Sequence, residues 1–132
     1  MARNGPARMR QMTLGGIVLG AMLGLARGAR AQNPSAGERA FRSQCGICHS
    51  PQPRRNAIGP RLFGVVGRHS GVVSGLRYSA ANRRSGLTWD TATLDRYLAA
   101  PGRVVPGTLM TYPGLKDPRR CADLTACLAT LR

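Results

Sequence analysis

The sequence predicts an all-α domain of short helices joined by long loops. No stretch alternates apolar and polar residues for more than a few positions, so a sheet would have no face to bury. Three segments instead open on a helix-starting signal, two of them followed by apolar residues at helical spacing. The 17 glycines and nine prolines among 132 residues interrupt the chain too often for long elements. Hydrophobic residues make up 42% of the chain, yet only Phe41, Phe63, Tyr78, Trp89, Tyr97 and Tyr112 are aromatic. Such a core is thin unless something besides side chains fills it.

The helices follow in order. Ser35-Ala36-Gly37-Glu38 has the form of a capping box and predicts a helix running to about Gln44. Gly59 to Gly75 has scattered apolar residues without a period and reads as an ordered loop. Asp90 or Thr91 caps a second helix through Leu94, Tyr97 and Leu98, and Pro101 is expected to stop it. Val104 to Tyr112, broken by Pro106-Gly107, is again loop. Asp117-Pro118 opens a last helix, on which Cys121, Leu124, Leu128 and Leu131 form one apolar stripe. Cys127 is expected to be buried on or beside that stripe and Cys121 to be within reach of solvent. Loops this long in a small domain need a reason, and a large buried cofactor supplies one.

The N-terminus has the layout of an export signal. Arg3, Arg8 and Arg10 form a basic head, and Met12 to Ala26 is an uncharged run of 15 residues, short of the roughly 20 needed to span a bilayer. Ala29-Arg30-Ala31 then offers a small-x-small cleavage site. The domain organisation expected is a signal peptide over residues 1–31 and one domain over 32–132, with retention of the segment as an anchor as the alternative. A cut after Ala31 removes Arg3, Arg8, Arg10, Arg27 and Arg30, so the formal charge falls from +15 to +10. Fourteen of the 15 remaining basic residues are arginine, and Lys116 is the sole lysine. The dispersed arginines lack the interleaved aromatics that stack on bases, which argues against nucleic acid as a partner. Five acidic residues are too few for a carboxylate metal cluster or a buried acid/base pair. No Ser/His/Asp arrangement or phosphate-binding glycine motif is evident.

Cys45-Gly46-Ile47-Cys48-His49 carries the chemistry. This C-x-x-C-H pattern is an attachment signature for c-type haem. Two thiols three residues apart can each add to a haem vinyl group, and the next side chain is an imidazole placed to bind iron. A structural zinc site would need two further ligands. Cys121 and Cys127, on one helix, lie about 120° apart in azimuth and about 9 Å apart along the axis, so they converge poorly. A thiol oxidoreductase would want a parallel sheet beside the motif; a plain disulfide staple is the third rival. A second axial ligand is supplied by Met110, the only methionine after the expected cleavage site and one held in a Pro-Gly loop, with His69 as its competitor.

Further residues in order make the chain resemble a class I cytochrome c, of the mitochondrial type and its soluble bacterial relatives. They are Gly37, Phe41, Gly59-Pro60, Gly67-Arg68, Tyr78, Asn82, Gly86, Trp89, Tyr97-Leu98, Pro101, Pro106-Gly107-Thr108-Leu109-Met110, Gly114 and Asp123-Leu124. The resemblance implies the small cytochrome c fold, wrapped around one covalently bound haem c. It implies that Cys45 and Cys48 anchor the haem, that His49 and Met110 bind the iron, and that the Pro60 carbonyl accepts the imidazole N–H. Arg68, Tyr78 and Trp89 would face a haem propionate. Asn82, Tyr97 and Thr108 would form a polar pocket beside Met110. Gly37 and Phe41 would pack against Leu124 where the first and last helices cross.

The implied function is one-electron transfer by a soluble periplasmic carrier, a monomer and not an enzyme. Its expected partners are acidic-faced redox proteins or membrane oxidoreductase complexes, with no nucleic acid and no stable membrane insertion after cleavage. The departures from the family fall at Leu109 and Gly102, where lysines of the usual docking face stand. Cys127 and Cys121 likewise replace an aromatic and a basic residue of the last helix.

Overall fold

A computed structural model describes Met1 and residues 31–132; the expected export segment, apart from its two ends, lies outside the described residues. Among the described residues five α-helices form: α1 (Pro34–Ala40), α2 (Ala80–Arg84), α3 (Thr91–Ala99), α4 (Pro101–Val104) and α5 (Pro118–Thr130). A π-helical turn, Phe41–Cys45, prolongs α1. The described residues contain no strand, only an isolated antiparallel bridge between His69 and Thr88. None of their helices is long and apolar enough to cross a membrane.

The first helix starts earlier than the capping-box reading has it. Asn33 is the N-cap, and its side chain accepts from the Ser35 and Ala36 backbone N–H groups. Ser35 thus lies inside the helix, and Glu38 turns outward to pair with Arg42 one turn on. The Asn33 N–H donates in turn to the Asp123 carboxylate of α5 at 2.8 Å. At the third helix, Asp90 is the cap, accepting from the Thr93 N–H at 2.7 Å. Pro101 does not merely stop the chain: Ala100 breaks the helix, and Pro101 opens α4 as its first residue, where its missing N–H costs nothing. Asp117 caps α5 with Pro118 at the first position, as expected.

The sequence reading missed α2, a single turn with no apolar period. Ser79 fixes it by accepting from the Asn82 N–H at 3.0 Å.

The core forms where α1 crosses α5 and where α3 packs on α5, with Phe41 and Cys45 of the π-helical turn in the same cluster. Gly37 makes the first crossing possible. A Cβ there would overlap the Asp123 carbonyl and sit 2.7 Å from Cys127 Cβ. Phe41, Cys45, Leu94, Leu98, Cys121, Leu124 and Leu128 share one buried cluster. Cys121 is therefore buried at 3% exposure, not within reach of solvent, and its thiol donates to the Leu115 carbonyl. Burial first, then neighbouring carboxylates, raises the Cys121 and Cys127 thiols above their ordinary pKa.

Candidate haem-binding site

The π-helical turn delivers Cys45 into the core and leaves Cys48 and His49 half-buried just beyond it. The His49 N–H bonds back to the Cys45 carbonyl at 2.9 Å, so the motif closes its own turn. Nδ1 of His49 donates to the Pro60 carbonyl at 2.7 Å. That bond fixes the tautomer and leaves Nε2 with its lone pair. Desolvation lowers the His49 pKa against the opposing effect of the Pro60 bond, which favours the neutral, ligating imidazole. Gly59 lies flat against the ring: a Cβ there would come within 2.5 Å of Cε1 and 2.9 Å of Nδ1. The Gly59 N–H is itself fixed to the Cys48 carbonyl at 2.7 Å. Burial, with Cys127 and Cys48 adding, pushes the Cys45 thiol up to about 11.

Met110 sits half-buried in the loop after α4. Its N–H donates to Thr108 Oγ1 at 3.2 Å, and the same hydroxyl bonds the buried Tyr97 hydroxyl at 3.1 Å. Tyr97 stacks at a tilt on Trp89, ring centroids 4.7 Å apart. The structure thus links Trp89, Tyr97, Thr108 and Met110 in one chain of contacts. Asn82 is buried and accepts from the Ser79 hydroxyl at 2.9 Å.

The expected propionate group is only partly drawn together. Burial raises the Tyr78 hydroxyl pKa, against a backbone hydrogen bond at Val73 and the nearby charges of Arg68 and Arg61, which lower it. The Arg68 guanidinium, however, is committed to the Arg61 carbonyl at 2.8 Å and to the Phe63 carbonyl. The Trp89 N–H donates to the Arg68 carbonyl at 2.8 Å and the Gly67 N–H donates to the Trp89 carbonyl at 3.0 Å, beside the His69–Thr88 bridge. His69 is exposed and bonded to Thr88 Oγ1 at 3.1 Å.

Sequence reasoning gave Ser70 no role. The Ser70 hydroxyl is buried and finds no hydrogen-bond partner among the described residues. A buried, unpartnered hydroxyl at Ser70, two unbridged thiols and a neutral imidazole fit one covalently attached haem. They do not fit zinc: no three His, Cys, Asp or Glu side chains cluster among the described residues.

These features define a c-type haem protein. No protein-family model matches the chain. Its relatives do: it is 50% identical over 101 residues to cytochrome c2 of Rhodomicrobium vannielii, covering 76% of this chain and 80% of that one. It is 46% identical over 100 residues to cytochrome c2 of Rhodopila globiformis, covering 76% and 94%. The solved structure of cytochrome cH from Methylobacterium extorquens matches at 44% identity and a TM-score of 0.69, over 74% of this chain and 98% of that one. The chain belongs to the class I cytochrome c family, haem c electron carriers and not enzymes.

Proposed function

We propose that the chain is a periplasmic one-electron carrier whose single haem c is anchored through Cys45 and Cys48, with His49 and Met110 as the two iron ligands. The observation that carries this reading is the His49–Pro60 bond, which leaves Nε2 as the free ring nitrogen of the attachment motif. The bound haem supplies the one-electron couple, and a His/Met pair favours its reduced state over a bis-His pair. Around it, Thr108 holds the Met110 backbone, Gly59 and Pro60 hold the imidazole plane, and Tyr97 and Asn82 add fixed dipoles. Tyr78, Trp89 and Arg68 are assigned to the propionates, Arg68 by exchanging one of its loop carbonyls. The export segment is cleaved after Ala31, and the mature protein is a monomer.

The test is the weak red charge-transfer band of methionine-bound ferric haem. It is expected in the holoprotein, lost in Met110→Ala and kept in His69→Ala. A band that survives Met110→Ala overturns the ligand assignment.

The partners are acidic-faced redox proteins or membrane oxidoreductases. All five acids are engaged inside the molecule: Asp90 and Asp117 in caps, Asp95 with Thr125, Asp123 with Asn33, and Glu38 with Arg42. That last contact is the only ion pair among the described residues, while 12 of the 14 arginines there are exposed. Surface charge of this kind steers encounter and is screened over about 8 Å at physiological ionic strength. The bimolecular electron-transfer rate with an acidic partner should fall steadily as salt rises; a flat rate would remove the electrostatic account.

A further inference from the structure

Gln44 and Tyr112 are 68 positions apart in sequence, yet the Tyr112 hydroxyl donates to Gln44 Oε1. Their places make the bond consequential. Gln44 lies in the π-helical turn immediately before Cys45, and Tyr112 follows Met110 by two residues. The Tyr112 ring is half-buried and packs on the cluster that holds Phe41, Cys45 and Cys121. The bond therefore joins the segment that carries the haem attachment to the loop that carries the opposite ligand.

The rest of that loop is held elsewhere. On its leading side the Met110 N–H is bonded to Thr108, a local contact. On its trailing side the Leu115 N–H bonds the Leu98 carbonyl and Lys116 bonds the Ala99 carbonyl, both of α3, while Lys116 also bonds the Pro113 carbonyl of the loop itself. Between Leu109 and Gly114, the Tyr112 hydroxyl makes the one hydrogen bond that crosses to the attachment segment among the described residues. Two flanking holds fix where the loop begins and ends. This bond fixes how far its middle stands from the π-helical turn.

We propose that the Tyr112–Gln44 hydrogen bond is a latch that holds the loop closed, making Tyr112 and Gln44 positioning residues for Met110. The proposal rests on Met110 as an iron ligand. Phenylalanine at 112 would keep the ring in its packing and remove only the latch. A neutral hydrogen bond of this kind shifts an equilibrium by about two- to tenfold.

The experiment titrates the ferric holoprotein with imidazole, which competes with Met110, and follows the loss of the red charge-transfer band. Tyr112→Phe should raise the apparent imidazole affinity by about two- to tenfold. Gln44→Ala should do the same, and the double variant should gain no more than either single one, because both remove the same interaction. Parental affinity in Tyr112→Phe overturns the latch, as does an additive double variant. A loss of thermal stability with unchanged imidazole affinity also overturns it, since the bond would then serve packing alone. If the parent protein itself lacks the red band, the Met110 assignment fails and the latch with it; a parent that shows the band confines any negative result to the latch.

Discussion

The His49 side and the Met110 side of the site are assembled from different ranges of the chain. Everything fixed around His49 lies between Cys45 and Pro60: the carbonyls of Cys45 and Pro60, and the flat face of Gly59. Met110 is held by Thr108, but Thr108 is held by Tyr97, and the loop beyond is tied to Gln44, Leu98 and Ala99. One side closes on itself through backbone contacts within a single segment. The other exists only once α1, α3 and the last loop have come together. The first should behave as a rigid mount, and the second as a seat whose hold on Met110 can be loosened in steps.

The largest effects should come from filling a tight approach on each side of the site. Gly59→Ala puts a methyl group into the His49 ring, and neither the ring, bonded to Pro60, nor Gly59, bonded to Cys48, can yield easily. Overpacking of this kind costs about 1–3 kcal/mol. Denaturant unfolding of the holoprotein should show that loss, together with a weakened His49 spectrum. Gly114→Ala is its counterpart. That residue has φ +100°, and a Cβ would meet the Ala99 carbonyl backbone. It should abolish or diminish the red band while a pyridine haemochrome assay still finds covalent haem. Should Gly114→Ala also lower haem attachment, the two sides would not be separable as argued.

An intermediate effect should separate the links on the Met110 side. Thr108→Val keeps the shape and removes the acceptor of the Met110 N–H and the partner of the Tyr97 hydroxyl together. Leaving such groups unpaired costs about 1–3 kcal/mol, whereas Tyr97→Phe removes one neutral bond worth about 1 kcal/mol. Thermal bleaching of the red band should therefore come at a lower temperature in Thr108→Val than in Tyr97→Phe. The reverse order would place Tyr97, not Thr108, at the centre of the seat.

The same contrast explains how much was legible in the sequence. The Cys45–His49 motif, Pro60 and the caps at Asp90 and Asp117 are short-range patterns, and residue type with spacing is enough to read them. The start of α1 was displaced because Asn33 and Ser35 are both good caps. Asp123, 90 positions away, receives the Asn33 N–H and so anchors the start of the helix. Pro101 signals both the end of one helix and the first position of another, and only the break at Ala100 decides between them. The stripe places Cys121 at the start of α5, open to solvent by position, and it is covered because Leu115 comes from the loop before the helix, not from the stripe. Tyr112–Gln44 leaves no pattern in sequence, since a lone tyrosine and a lone glutamine carry no spacing. Gly59 was visible as a residue, but its role needs the imidazole it lies against.

The smallest expected effect has the most informative sign. Lysines near a methionine ligand are candidates to replace it at high pH, and Lys116 is the only lysine in the sequence. Arginine offers no free lone pair, so the neighbouring Arg103 is no substitute. Lys116 is already occupied: its Nζ donates to the Pro113 carbonyl at 2.8 Å and to the Ala99 carbonyl at 3.1 Å. The second acceptor is at the C-terminal end of α3, where the helix dipole favours a cation. To reach the iron, Lys116 would abandon both carbonyls and draw with it Asp117, the cap of α5. It is better placed to brace the trailing side of the loop than to invade the site. A pH titration of the red band should accordingly show Lys116→Ala losing Met110 ligation at the same pH as the parent or slightly lower. If the variant instead holds its methionine to a higher pH, Lys116 is the incoming ligand. The loop would then open far enough to break contacts to α3, and the Met110 side would be looser than its hydrogen bonds imply.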